Sequence, residues 1–174
     1  RTARITNLPW KLKEQDLAEA ASMKQLELVN DFGVLIYGLP HFDEEQQVVL
    51  QTGTQDNGPV AILGAGTGLG MARGVHTQSG LLSLSCEGGH RDFAARTDEE
   101  WQLACWLKQD LNVDRLSIER IVSGTGLGHI AHWLLEQPHA SQHPLREMAQ
   151  AWRRNTAMDF PAHASKAASE GDAL

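Results

Sequence analysis

Several residue types that mark common function classes are scarce in this chain. Only two of its 174 residues are cysteines, Cys86 and Cys105, and they form no C-x-x-C pair. A zinc or disulfide framework is therefore not expected, and a reducing, cytoplasmic setting fits this cysteine usage best. No apolar run approaches the ~20 residues that a membrane-spanning helix needs, and the sequence shows no signal peptide.

Basic residues are few relative to acidic ones. Lys and Arg together number 15 against 22 Asp and Glu, which gives a formal net charge of -7 at pH 7. This balance argues against nucleic acid or an anionic membrane as a partner. It leaves room for a small anion, because a local group of backbone N–H donors can bind one whatever the net charge. With 174 residues, 41% of them hydrophobic, the chain can build one domain with a sizeable core.

What the chain has in plenty is glycine at alternate positions. Residues 60–72 read VAILGAGTGLGMA, with glycine at every second position from 64 to 70. A dinucleotide-binding G-x-G-x-x-G would need its third glycine where Leu69 or Met71 stands, and no lysine follows to complete a P-loop. The next residues have strand character, so the pattern predicts strand, turn, strand. Two interpretations stay open on pattern alone: a hairpin whose glycines supply positive φ, or a phosphate cradle around Thr67.

The rest of the sequence alternates strand-like and helical segments, which predicts a mixed α/β or α+β protein. Asp31 is expected to cap a helix, and Thr97 with Glu100 is expected to form a capping box. The pattern predicts strands at 2–8, 26–30, 46–53, 59–66, 71–77 and 80–87, and helices near 13–24, 31–40, 97–111, 125–137 and 144–155.

Three polar clusters interrupt otherwise apolar surroundings. Asn30 and Asp31 follow the strand-like LELV, at the kind of position where open α/β sheets contact ligands. Glu87 and His90 flank two glycines in EGGHRDF, and a carboxylate with an imidazole suits the hydroxyl groups of a polyol. Glu119 precedes a second glycine-rich segment in SIERIVSGTGLG, at the start of a predicted helix, where anions are favoured.

Each cluster also has a structural explanation, which the residues alone leave open. The first would be a helix N-cap, the second a glycine turn with solvated side chains, and the third a capped helix with an exposed glutamate. His129 and His132 lie three apart on a predicted helix, but no third ligand stands nearby. A metal site is therefore not expected.

Together and in this order, these segments resemble bacterial glucokinases of the hexokinase and actin-like ATPase superfamily. The similarity covers about residues 5–135 and continues more loosely over 144–174. The segments that carry it are TNLPW (6–10), LVNDFGVLIYGLP (28–40), ILGAGTGLGMA (62–72), CEGGHRDFAARTDEE (86–100) and LSIERIVSGTGLGHI (116–130).

The resemblance implies an α/β fold of the ribonuclease H-like, actin-like ATPase type, in incomplete form. Residues 1–40 would be the C-terminal part of a small α/β domain with its hinge, and residues 41–174 a truncated large α+β domain. The D-G-G-T-N loop that opens the family is missing, and the chain ends before the family's late Gly-Gly segment. We therefore expect a piece of a longer protein, inactive alone, whose residues beyond about 156 lack a packing surface.

The resemblance also implies a function, the ATP-dependent phosphorylation of glucose to glucose 6-phosphate, with ATP and Mg²⁺ as cofactors. It leaves a homodimer open, and the alternative function is a non-catalytic sugar-binding or regulatory module of the same lineage. It selects the phosphate interpretation of the first glycine turn. The implied roles are general base for Asp31, sugar contact for Asn30, Asp31, Glu87, His90 and Glu119, and nucleotide-phosphate contact for Gly66, Thr67 and Gly68.

Overall fold

The computed structural model describes residues 1–4, 9–54, 57–155 and 158–172, which form a mixed α and β structure. The chain divides into two compact units, unit 1 with Arg1–Val60 and Arg73–Ser85, and unit 2 with Ala61–Ala72 and Cys86–Leu174. The predicted boundary after residue 40 concerns the longer fold and stays a prediction. The elements are β1 (Thr2–Arg4), β2 (Lys11–Lys13), α1 (Glu14–Ala20), α2 (Asp31–Gly38), β3 (Val60–Ala65), β4 (Leu69–Thr77), β5 (Gly80–Ser85), α3 (Asp98–Leu111), α4 (Gly124–Leu135), α5 (Arg146–Arg154) and α6 (Phe160–Ser169).

The strands fall into two small sheets. β1 and β2 pair antiparallel, with Thr2 opposite Lys13 and Arg4 opposite Lys11. β3, β4 and β5 form a three-stranded sheet in chain order. The predicted strands over 59–66, 71–77 and 80–87 are confirmed in kind, with small differences at their ends. Of the predicted strand over 2–8, residues 5–8 lie outside the described part, as do three residues of TNLPW.

Unit 1 departs from the sequence prediction at two strands. Within the described ranges, residues 26–30 have no strand pairing, and neither do residues 46–53. Val48, Val49 and Leu50 are instead 84%, 75% and 94% exposed. The β-branched Val48 and Val49, beside the apolar Leu50, favour a strand. A strand also needs a partner ladder for its backbone groups, and the described part of the chain supplies none here.

Helix α2 shows which residue begins it. Asn30 is the N-cap, and its Oδ1 accepts hydrogen bonds from the backbone N–H groups of Phe32 and Gly33, both at 3.0 Å. Asp31 is the first residue of the helix, so the expectation that Asp31 is the cap is wrong by one position. An amide oxygen caps as well as a carboxylate does, and here the earlier residue takes the extended conformation that a cap requires.

Unit 2 packs its helices around α4. On one side, α4 contributes Trp133 to a cluster with Leu103 and Leu107 of α3. On the other side, Leu135 of α4 packs in a second cluster with residues of α5 and α6, among them Ala149, Trp152, Phe160 and Ala164. The capping box expected at the start of α3 is confirmed in one of its two hydrogen bonds, because Thr97 Oγ1 accepts from the Glu100 N–H at 3.1 Å. The Glu100 carboxylate accepts from the Arg96 N–H instead of the Thr97 N–H.

The C-terminal helix corrects a further expectation. Residues beyond 156 were expected to lack a packing surface, but α6 lies against α4 and α5, and Phe160 is fully buried. The surface is supplied within unit 2, by Trp152 among others, whose ring centroid lies 5.5 Å from that of Phe160. No helix among the described residues has the length and apolar character needed to cross a bilayer.

We predict that Phe160→Ala lowers the free energy of unfolding by about 3–5 kcal/mol, because it empties a buried aromatic site between α5 and α6. Urea unfolding followed by tryptophan fluorescence measures the change. The matched control is Lys166→Ala on the same helix, whose side chain is 73% exposed and whose change should stay within about 0.5 kcal/mol. A loss below about 0.5 kcal/mol for Phe160→Ala would contradict the described packing of α6.

Candidate functional site

The first glycine turn, residues 66–68, connects β3 to β4. The Gly66 N–H donates to the Gly68 carbonyl at 2.9 Å, so the predicted strand, turn, strand is confirmed. The idea that the glycines supply positive φ is wrong, because within the described residues the glycines with positive φ are Gly80 and Gly171. What requires glycine at 68 is space: a Cβ there would collide with the carboxylate of Glu119, whose Cδ would lie only 3.0 Å away.

The second glycine turn, residues 123–126, begins α4 and is hydrogen-bonded to the first. The Gly124 N–H donates to the Gly66 carbonyl at 2.7 Å. The Thr125 hydroxyl donates to the Thr67 carbonyl at 2.9 Å. The N-cap of α4 is Ser123, whose Oγ accepts from the Gly126 N–H. We call residues 66–68 and 123–126 the paired turns. They bring together the backbones of two segments that lie more than 50 residues apart in the chain.

A cavity of about 680 Å³ in unit 2 adjoins the paired turns. Its wall combines backbone and hydroxyl groups of the turns with two guanidinium groups and an apolar section. Such a wall suits a ligand that carries an anionic group at one part and an apolar ring at another. The lining residues are Gly66, Thr67, Gly124 and Thr125 from the turns, the cations Arg120 and Arg153, and Leu111, Leu127, His129, Trp152, Met158, Asp159, Pro161, Ala162 and Ser165.

Arg153 is held in the cavity wall by α3. Its Nε donates to Asp110 Oδ2 at 2.7 Å, and its Nη2 donates to the Asp110 carbonyl. This two-point contact fixes the plane of the guanidinium group, since Arg presents its donors in a rigid fork. Arg153, Thr125 and Trp152 were not predicted as wall residues from the sequence. The i, i+4 spacing of Thr125 and His129 on α4, and of Pro161 and Ser165 on α6, could have placed pairs of wall residues together.

Glu119 is half-buried, and its carboxylate is hydrogen-bonded to the residue that follows the first glycine turn. Its Oε2 accepts a hydrogen bond from the Leu69 N–H at 2.9 Å. The loop that carries it is held twice more: Ser123 Oγ donates to the Glu119 carbonyl at 2.7 Å, and His129 Nδ1 donates to the Arg120 carbonyl at 3.0 Å. The structure therefore places this predicted sugar contact against the predicted phosphate turn.

Glu87 and His90 lie at the two ends of one tight turn. The His90 N–H donates to the Glu87 carbonyl at 3.1 Å, and His90 Nε2 lies 3.6 Å from Glu87 Oε2. Both side chains are exposed and so remain available to a ligand. A short bridge between Asp92 and Ser117, with the Ile118 N–H donating to the Arg91 carbonyl at 2.8 Å, joins this segment to the one that carries Glu119.

Asn30 and Asp31 belong to unit 1, whereas the other predicted site residues belong to unit 2. Asp31 Oδ1 accepts from the Phe32 N–H at 2.9 Å, and its side chain is exposed. Asn30 lines a cavity of about 300 Å³ within unit 1, together with Glu27, Tyr37 and Ser83 among others. The convergence of Asn30 and Asp31 with Glu87, His90 and Glu119 on one sugar stays a prediction.

His129 and His132 are both buried in α4, and burial lowers the pKa of each imidazole. His132 Nδ1 is buried without a hydrogen-bond partner among the described residues. Its Nε2 lies 3.7 Å from Glu136 Oε1, and its ring meets the Trp106 ring edge-on with centroids 5.2 Å apart. No group of three His, Cys, Asp or Glu side chains in the described ranges is arranged to hold a metal ion.

Comparison with known proteins supplies a family for this geometry. A family model described as Glucokinase matches residues 1–173. A curated glucokinase from Synechocystis sp. is 39% identical over 178 residues, which cover 98% of this chain and 50% of that protein. One from Yersinia enterocolitica is 40% identical over 126 residues, which cover 71% of this chain and 38% of that protein. The chain spans about half the length, or less, of these curated relatives.

Among solved structures, this chain is similar to a glucokinase from an Antarctic psychrotroph. The TM-score is 0.68 at 30% sequence identity, and the alignment covers 94% of this chain and 51% of that one. The described fold therefore corresponds to about half of that structure.

We predict that acid destabilises the chain partly through His132. Burial lowers its folded-state pKa below the ordinary 6.5, so the unfolded chain binds more protons below about pH 6.5. The free energy of unfolding then falls as the pH decreases from 6.5 towards the folded-state pKa. Asp110 and Glu136 oppose this lowering of the pKa, and Arg146 and Arg153 add to it.

Urea unfolding at pH 7.5 and pH 5.5 measures the effect. His132→Phe keeps a ring beside Trp106 and removes the titrating group, so it should shrink the loss of stability between the two pH values. The control is His163→Phe at an exposed position of α6, which should leave that loss as it is in the wild type. An unchanged pH dependence in His132→Phe would rule His132 out as a source of the acid sensitivity.

Proposed function

Because the chain belongs to the glucokinase family, as the match over residues 1–173 establishes, we propose that it serves the ATP-dependent phosphorylation of glucose to glucose 6-phosphate. The observation that carries this proposal is the hydrogen-bonded pair of glycine turns in the wall of the cavity of about 680 Å³. The N–H groups of Thr67 and Gly68 and the Thr67 hydroxyl, beside two guanidinium groups, are the kinds of donor that bind polyphosphates.

On the nucleotide side, the turn of Gly66, Thr67 and Gly68 contacts the phosphates. The Gly66 N–H is bonded to the Gly68 carbonyl, so the Thr67 and Gly68 N–H groups would be the backbone donors. Thr67 is exposed, and its carbonyl accepts a hydrogen bond from Thr125. Its hydroxyl would be the group that contacts a ligand. The apolar section of the wall, with Trp152 and Pro161, suits the flat face of a nucleobase. Mg²⁺ would reach the site on the ATP phosphates, where it neutralises charge on the transferred phosphoryl group.

On the sugar side, Asn30, Glu87, His90 and Glu119 read hydroxyl groups. Carboxylates accept from hydroxyls, and an imidazole donates or accepts according to its tautomer. Support comes from the exposure of Glu87 and His90, whose side chains are 78% and 59% exposed. The Asn30 oxygen caps α2, and its amide nitrogen remains a donor. Sites of this kind discriminate well, because an analogue that lacks a hydroxyl leaves a polar group unpaired.

Asp31 is the general base in this proposal. The 6-hydroxyl of glucose is a weak nucleophile, and a carboxylate within hydrogen-bond reach accepts its proton as the phosphoryl group is transferred. Support comes from the position of Asp31 at the first residue of α2, where the helix fixes its backbone and the side chain stays exposed. Positioning and charge stabilisation supply most of the remaining rate enhancement.

The actin-like ATPase fold, divided after residue 40, belongs to the same proposal. Its support is the TM-score of 0.68 to a glucokinase structure of which this chain covers 51%. Because the chain spans about half of its relatives' length, we propose that these 174 residues alone have little turnover. The second candidate function is a non-catalytic sugar-binding or regulatory module, which the exposed Glu87 and His90 would also serve.

Calorimetry on the purified chain separates the two functions. Glucose is titrated alone, then in the presence of a non-hydrolysable ATP analogue with Mg²⁺, and the analogue is titrated alone. The kinase proposal expects both ligands to bind. Binding of glucose with no binding of the nucleotide would favour the module, and binding of neither would overturn both proposals. A coupled assay for glucose 6-phosphate on the same sample measures the chain's own turnover.

We predict that Asp31→Asn lowers kcat by about two to four orders of magnitude while the affinity for glucose changes less than about threefold. The amide keeps the shape of the side chain but cannot accept the proton. Steady-state rates are measured on this chain or, where its turnover is too slow to follow, on a polypeptide of the relatives' full length.

The matched control for Asp31→Asn is Asp98→Asn. Asp98 is the first residue of α3, as Asp31 is of α2, so both substitutions remove one charge at the same helical position. The control should leave kcat within about twofold. A kcat for Asp31→Asn within threefold of the wild type would refute the assignment of the base.

A further inference from the structure

Glu119 has two carboxylate oxygens with different surroundings. Oε2 accepts the Leu69 N–H at 2.9 Å, at the exit of the first glycine turn. Oε1 accepts no hydrogen bond from the described residues. A carboxylate has lone pairs enough on each oxygen for separate donors. We infer that Glu119 is a positioning residue that couples the sugar and nucleotide sites, with Oε2 on the phosphate turn and Oε1 on a sugar hydroxyl.

This inference rests on the proposed function, and the geometry of the loop supports it. The backbone on either side of Glu119 is hydrogen-bonded: before it, the Ile118 N–H donates to the Arg91 carbonyl, and after it, the Glu119 carbonyl accepts from Ser123 Oγ. Because these hydrogen bonds hold the main chain, the conformational freedom that remains to Glu119 is that of its side chain. A second hydrogen bond, from a sugar hydroxyl to Oε1, would restrict that side-chain freedom as well.

The phosphate turn depends on the same side chain. Leu69 is the first residue of β4, and the Gly66 N–H to Gly68 carbonyl bond lies immediately before it. Glu119 therefore fixes the exit of the turn whose N–H groups face the nucleotide in the proposed function. A sugar that orders the carboxylate orders this turn too, so a nucleotide that follows has less entropy to lose. Thermodynamic linkage makes the effect reciprocal, so each ligand should tighten the other.

Gly68 is what allows this arrangement. A methyl group at 68 would collide with the Glu119 carboxylate, so an alanine there must push Oε2 off the Leu69 N–H. Gly53 lies outside the paired turns, and a methyl group at 53 would meet no atom within 4 Å. The two glycines thus give a matched pair of substitutions, of which one displaces Glu119 and the other leaves it in place.

The experiment measures the coupling factor, which is the Kd of glucose without the Mg²⁺ complex of a non-hydrolysable ATP analogue divided by the Kd with it. Calorimetry on the whole chain gives both values. We expect a factor of about five or more for the wild type. Glu119→Gln, whose single side-chain oxygen replaces two, should reduce the factor to below about two. Gly68→Ala should do the same and also weaken glucose alone, whereas Gly53→Ala should keep the wild-type factor.

Each outcome decides something. Wild-type chain that binds neither ligand overturns the proposed function and this inference with it. If both ligands bind and the coupling factor is near one, the inferred coupling is overturned and the proposed function stands. Full coupling in Glu119→Gln, or equal loss in Gly53→Ala and Gly68→Ala, also overturns the inferred coupling. Circular dichroism checks the fold of every variant, and if Gly68→Ala fails to fold, Glu119→Gln carries the test because it adds no atom to the turn.

Discussion

The hydrogen bond from the Gly124 N–H to the Gly66 carbonyl is the constraint on which the rest of unit 2 depends. The first N–H groups of a helix have no partner within the helix. Here one of them is satisfied by a hairpin that precedes it by more than 50 residues, and Thr125 adds a second bond to the same hairpin. The start of α4 therefore sets both the edge of the cavity and the position of the loop that carries Glu119.

This arrangement makes an acidic chain compatible with the polyphosphate ligand of the proposed function. The net charge of -7 belongs to the whole chain, whereas the cavity wall places Arg120 and Arg153 beside the paired turns. Two carboxylates offset part of this positive charge, because Asp110 engages Nε and Nη2 of Arg153 and Asp159 also lines the cavity. Local geometry, rather than total charge, governs which small anion such a site accepts.

Features that depend on neighbouring residues could be predicted from the sequence. The β3–β4 hairpin and the capping of α3 by Thr97 were predicted, since both follow from short-range spacing and hydrogen-bonding capacity. The strand expected at 46–53 was not found, because β propensity alone does not supply a partner ladder. The contact of Glu119 with Leu69 joins residues 50 positions apart, so no local pattern could reveal it. The roles given to individual site residues came from the family resemblance, not from spacing.

The close packing around Gly128 also limits how this chain can diverge. A Cβ at position 128 would lie 2.9 Å from Pro161 Cγ and from Trp152 Cη2, so three helices meet where one residue has no side chain. A residue with a side chain at position 128 therefore needs a smaller side chain at position 152 or 161 in the same lineage. Both of those residues line the cavity, so a compensating change would alter its wall. The three positions should therefore drift together, as a co-varying set, rather than one at a time.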